Sequence, residues 1–116
     1  MSSSAPLACR LSVFSQRDRA RHAGLIEQLK PLVEEVQELP AGYALRFTED
    51  GSVFARLAEW MRLESVCCPF LDFKLQVVGR CGPVELRLTG RDGVKDFLRS
   101  QFAIVIEKTA PQPQSE

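Results

Sequence analysis

Two adjacent cysteines, with a carboxyl one helical turn before them, are the residues of this chain whose types and spacing could do chemistry. They lie in the stretch Glu64-Ser65-Val66-Cys67-Cys68-Pro69-Phe70. Two thiolate sulfurs suit mercury, arsenite, copper(I) or zinc, because soft ligands select soft cations. Glu64 is three residues before Cys67 and four before Cys68, so it could add an oxygen ligand or accept a thiol proton. Adjacent helical residues diverge by about 100°, so both sulfurs reach one ion only where the helix frays. Pro69 favours fraying there, since its ring disfavours the α conformation at Cys68. Cys9 could be a third sulfur if a strand brought it near. The expected site is therefore Glu64, Cys67 and Cys68. It would hold a soft metal ion such as zinc or mercury, or a small thiol-reactive ligand, with Trp60, Met61, Phe70 and Phe73 lining the pocket.

Two other readings stay open. In the first the domain is a thiol redox enzyme. The C-terminal end of a helix carries partial negative charge, and Glu64 adds more. Both raise a thiol pKa, which disfavours a reactive thiolate. No thioredoxin-type Cys-x-x-Cys is present. His22, the single histidine, falls in a polar turn and reads as a surface residue. Enzymatic activity is thus left open, with the balance against it. In the second reading Cys67 and Cys68 pack as small hydrophobes, Glu64 is a satisfied buried carboxyl, and the chain is an interaction or dimerisation module. Leu63 and Val66, on the charged side of the helix, would then be its exposed apolar contacts.

The elements that must position these groups follow from periodicity. Over residues 53–68 the helical repeat puts Val53, Phe54, Leu57, Trp60, Met61, Cys67 and Cys68 on one arc, with Arg56, Glu59 and Arg62 opposite. Glu64 sits inside the apolar arc, which is costly unless the carboxyl is paired, hydrogen-bonded or protonated. Ser52 or Asp50 is expected to cap this helix. Upstream, Leu7, Cys9, Leu11 and Val13 alternate with Ala8, Arg10, Ser12 and Phe14 as a half-buried strand. A helix is expected from Gln16 to about Lys30, where Pro31 ends it. Arg17, Arg19 and Arg21 crowd its first turns, where the helix dipole disfavours cations. Residues 32–39 fit either helix or strand. With Tyr43, Leu45 and Phe47 alternating after Pro40-Ala41-Gly42, residues 34–39 and 42–48 are read as a hairpin. Residues 71–78 and 84–89 form a second hairpin with Cys81 at its exposed tip, and Val94, Phe97, Leu98 and Phe102 mark a last helix. The order β-α-β-β-α-β-β-α gives an α+β fold, a mostly antiparallel sheet with helices packed on one face. A strand–helix–hairpin followed by helix–hairpin–helix hints at a loose duplication.

Composition bounds the rest. A chain of 116 residues makes one domain, taken as residues 7–107 between a disordered lead-in, 1–6, and a disordered tail, 108–116. Fifteen basic residues balance fifteen acidic ones, which argues against a nucleic-acid partner. No apolar run reaches membrane-spanning length, and the N-terminal stretch lacks a signal peptide's basic region. A cytoplasmic protein with reduced thiols is expected, free of a zinc-ribbon site, with a homo-oligomer as a candidate assembly.

The block Glu64-Ser65-Val66-Cys67-Cys68-Pro69-Phe70-Leu71-Asp72-Phe73, followed by Val84–Gly90 and Val94–Leu98, resembles a family of small bacterial proteins. Their signature is Glu-x-x-Cys-Cys-Pro-Phe, a hairpin, a Thr-Gly turn and a Lys-x-Phe-Leu helix. That resemblance spans about residues 7 to 102. The Glu-x-x-Cys-Cys-Pro-Phe piece alone is similar to a segment appended to some MerR-like regulators. This second resemblance implies sensing of a metal or thiol-reactive ligand, for Glu64, Cys67 and Cys68 only. The DNA-binding half of those regulators has no counterpart here, so DNA binding is not implied.

Overall fold

The computed structural model describes residues 10–48, 51–77, 79 and 82–102. Helix α1 covers Gln16–Leu29 and starts where Ser15 Oγ accepts a hydrogen bond from the Asp18 amide at 3.1 Å, the usual way a serine satisfies an orphan donor of the first turn. A 3-10 turn, Lys30–Leu32, carries Pro31 and turns the chain into strand β1, Val33–Leu39. Strand β2, Gly42–Phe47, returns antiparallel. Helix α2 covers Val53–Cys67, strand β3 Leu71–Val77, strand β4 Val84–Gly90 and helix α3 Val94–Gln101. Both α1 and α2 have a proline two residues beyond their last residue, Pro31 and Pro69, and a strand beginning two residues later.

The two hairpins join edge to edge in one antiparallel sheet of order β1-β2-β4-β3. Register places Val36 opposite Leu45, Leu45 opposite Leu86 and Leu86 opposite Leu75, a continuous apolar row across all four strands. That face packs on the helices, so the fold is the expected α+β arrangement with helices on one face. The other face carries Glu35, Gln37, Arg46, Lys74, Glu85 and Arg87, with Gln76 Nε2 donating to the Glu85 carboxylate at 3.1 Å. At the β2–β4 join a Cβ on Gly42 would lie 1.9 Å from the Leu88 carbonyl oxygen, so only glycine lets these strands approach.

Several expectations are corrected. Leu11–Val13 form a 3-10 turn instead of the end of a strand, while residues 7–9 of that expected strand lie outside the described residues. So do Asp50, Cys81 and 103–107. Phe14, expected on the outward side, is in the core, whereas Phe54, expected inward, is 44% exposed. Ser52 stands before α2 without capping it; its hydroxyl instead accepts from the Arg56 guanidinium at 2.6 Å. Leu63 is buried, which leaves Val66 as the exposed member of the expected contact pair.

Candidate metal centre

The buried His22, Glu64 and Cys67 cluster forms where α1 crosses α2. Arg21 on α1 clamps Glu59 on α2 through two 2.7 Å hydrogen bonds, Nε to Oε2 and Nη2 to Oε1. The pair holds the Glu59 carboxyl below its ordinary value, chiefly through the hydrogen bond from Arg21. Here is a use for at least one arginine of the first turns, which the helix dipole would otherwise disfavour. The neighbouring residue on α1, His22, points inward. Its ring tilts against Phe14 with centroids 5.4 Å apart and stacks near Trp60 at 6.5 Å.

His22 is therefore not the surface residue its polar neighbours suggested. It is 7% exposed, and its Nε2 meets Glu64 Oε1 at 2.6 Å. Glu64, 2% exposed, is the paired buried carboxyl that its place in the apolar arc required. A helical signal for His22 was present in the chain: residues 22, 25, 26 and 29 share one face, and Leu25 and Leu29 are buried beside it.

Helix α2 ends as Pro69 requires. Cys68 leaves the helix at φ −128°, ψ 71°, yet its amide still donates to the Glu64 carbonyl at 2.7 Å. The Arg10 amide donates to the Cys67 carbonyl at 2.7 Å and the Leu71 amide to the Cys68 carbonyl at 3.2 Å, so the carbonyls of both cysteines are occupied. The departure from helical angles turns the two side chains together, and the sulfurs of Cys67 and Cys68 are 3.5 Å apart. Cys67 is a free, buried thiol 3.9 Å from Glu64 Oε1. Cys68 is disulfide-bonded; its partner lies outside the described residues. The expectation that every thiol is reduced is thus not met. In this state Cys68 presents no thiolate.

Burial pushes the Cys67 thiol up to about 12, helped by the nearby Glu64 charge and its hydrogen bond. Such a thiol stays protonated near neutrality. It is a poor nucleophile and becomes a ligand only where a cation replaces its proton.

His22, Glu64 and Cys67 each offer one ligand atom, and these atoms all lie within 4.8 Å of one another. The structure thus brings together two of the three expected ligands as available donors, adds His22, and holds Cys68 against them as a disulfide sulfur. A pocket of about 290 Å³ opens on this cluster, lined by His22, Glu64, Ile26, Lys30, Gln101 and Phe102 among others. Trp60 lines a separate apolar cavity of about 40 Å³ between helices and sheet. Its indole Nε1 is buried with no partner among the described residues. Met61, Phe70 and Phe73 line neither cavity; Phe73 packs edge-on to Trp60 and Phe70 to Phe97. No helix among the described residues is long and apolar enough to cross a membrane.

No protein-family model, curated protein or solved structure matches the chain.

Proposed function

We propose that this chain binds a transition-metal ion, zinc first and softer ions such as mercury(II) next, through Cys67, Glu64 and His22. One observation carries the reading: three buried donors of three chemical kinds, sulfur, oxygen and nitrogen, converge within 4.8 Å beside an open pocket. Zinc takes thiolate, imidazole and carboxylate together, with bonds of about 2.0–2.3 Å. Tetrahedral zinc would hold the nitrogen and oxygen about 3.3 Å apart. The 2.6 Å contact between His22 and Glu64 therefore has to open by less than one ångström as the ion replaces the shared proton. Three protein ligands leave a fourth position, and the pocket lined by His22 and Glu64 gives a water or small ligand a route to it.

On this reading the Glu-x-x-Cys-Cys-Pro-Phe block, similar to a segment of MerR-like regulators, is a metal-handling block of a cytoplasmic protein that needs no nucleic-acid partner. A second reading has its own support. The direct His22–Glu64 hydrogen bond satisfies both groups without an ion, as a purely structural core in an interaction or homodimerising module would require.

Titration of the disulfide-intact protein with zinc and mercury(II), followed by native mass and metal-competition absorbance, separates the two. The metal reading expects one ion per chain, with affinity reduced by Cys67→Ser, His22→Ala and Glu64→Gln. Absence of an adduct, or equal binding by the parent and Cys67→Ser, sinks it.

A further inference from the structure

The Cys68 sulfur has no part as a thiolate in the three-donor group, yet it lies 3.5 Å from the Cys67 sulfur that belongs to it. Two thiolates on one tetrahedral zinc lie about 3.8 Å apart, given zinc–sulfur bonds near 2.3 Å. The sulfurs of Cys67 and Cys68 are already 3.5 Å apart. Their approach follows from the break in helical angles at Cys68, where the helix would otherwise splay them. The sulfur is withheld only by the disulfide it carries. Resting on the metal reading above, we propose that the centre is redox-gated: reducing the Cys68 disulfide supplies the fourth ligand and converts an open three-donor site into a closed four-donor site.

The step balances with a cellular dithiol as reductant. The dithiol delivers two electrons and two protons, the sulfur–sulfur bond of Cys68 breaks to give two thiols, and the dithiol leaves as its own disulfide. The ion then displaces the protons of Cys67 and Cys68, which are released to solvent. A disulfide in a reducing compartment is usually transient or sensing, which is the behaviour a gate requires.

The gate also sets what the ion can do. With three protein donors the fourth position faces the pocket and takes water or a small ligand, the pattern of reactive zinc sites. With four, the site has the donor set of a structural or storage centre.

The test compares one protein in two redox states. Cobalt(II) and zinc are titrated into disulfide-intact protein, and into protein reduced with a dithiol that is removed before the metal is added. Reduction is expected to double the thiolate-to-cobalt charge-transfer intensity. It should tighten zinc by more than the roughly 10- to 100-fold that changes outside the ligand shell produce. Reduced Cys68→Ser, and Cys68→Ala as a second variant, should keep the single-thiolate spectrum. Equal intensity and affinity in both states, with metal still bound, overturns the gate and leaves the three-donor site standing. Two thiolates persisting in reduced Cys68→Ser would assign the extra sulfur to another cysteine and also overturn it. No uptake in either state removes both readings.

Discussion

Replacing His22 by alanine in metal-free protein tests the central contact without any ion. Glu64 is 2% exposed and its carboxylate is held by His22 Nε2 at 2.6 Å. Removing one partner of a buried, short His–carboxyl hydrogen bond costs about 3 kcal/mol, the upper end for a lost buried hydrogen bond and the lower end for a broken buried ion pair. The 290 Å³ pocket lined by both residues lets water reach the carboxylate once the ring is gone, which keeps the cost from rising above that. Loss of the ring contacts with Phe14 and Trp60 adds about 1 kcal/mol. The expected total is about 4 kcal/mol for His22→Ala. Glu64→Gln keeps size and a hydrogen-bond acceptor and should cost about 1 kcal/mol. The double variant should lose only about 2–3 kcal/mol, since both members of the hydrogen bond are then changed together. For a chain of 116 residues each kcal/mol lowers Tm by about 4 °C, so His22→Ala should melt about 16 °C below the parent. Urea and thermal unfolding in the presence of a chelator measure the cycle. A loss below about 1 kcal/mol for His22→Ala, or additive effects in the double variant, would refute the reasoning that Glu64 depends on His22.

The thiol and the sheet join give two further predictions. The Cys67 thiol is raised from 9.0 to about 12 in the folded protein, so the unfolded chain ionises first as pH rises. The contribution is complete below pH 9 and is lost as pH climbs from 9 toward 12, on the order of 3–4 kcal/mol at most. Urea unfolding with chelator at pH 7, 9 and 10.5 should show Cys67→Ala losing stability less steeply above pH 9, and parallel slopes would contradict the assignment. At the β2–β4 join, Gly42→Ala drives a Cβ to 1.9 Å from the Leu88 carbonyl oxygen, backbone that cannot swing aside. A loss of about 3 kcal/mol or more is expected, read as a lowered urea midpoint; a midpoint within error of the parent would show that the strands separate freely.

Legibility followed how local each cause was. Alternation in Tyr43–Phe47 and Val84–Leu88 marks the strands and their helix-facing side, and both hairpins formed where expected, although Ala44 and Glu85 on the opposite side are buried as well. The stretch 32–39 was ambiguous because a register shift between Val33 and Glu35 lets Val33 and Val36, three residues apart, both be buried. A three-residue spacing imitates a helix. Glu64 was conspicuous since its own helix makes it an apolar-arc residue. Its partner His22 stands 42 positions away on another helix, among arginines that drew attention from the Leu25–Leu29 face it shares. Which cysteine forms a disulfide is likewise a property of tertiary approach, and no spacing of four cysteines fixes it.

The sheet order β1-β2-β4-β3, with matching helix–proline–strand passages, gives the domain the plan of a dimer contained in a single chain. The pairing register is symmetric about the β2–β4 join, Gly42 opposite Thr89 matching Phe47 opposite Val84, and each half is a helix followed by its hairpin. Aligning the helix ends sets Leu29 against Cys67, Ile26 against Glu64 and His22 against Trp60. Leu29 and Ile26 line the small apolar cavity, while their counterparts are donors of the cluster; His22 and Trp60 stack on each other across the seam. The cluster takes Glu64 and Cys67 from the second half and His22 from the first, so the two halves contribute unequally. Because both halves belong to the same polypeptide, they could diverge independently at equivalent positions. Two identical subunits could not, since every substitution in them is made twice. The unequal contribution of the two halves to the cluster is thus available within a near-symmetric frame.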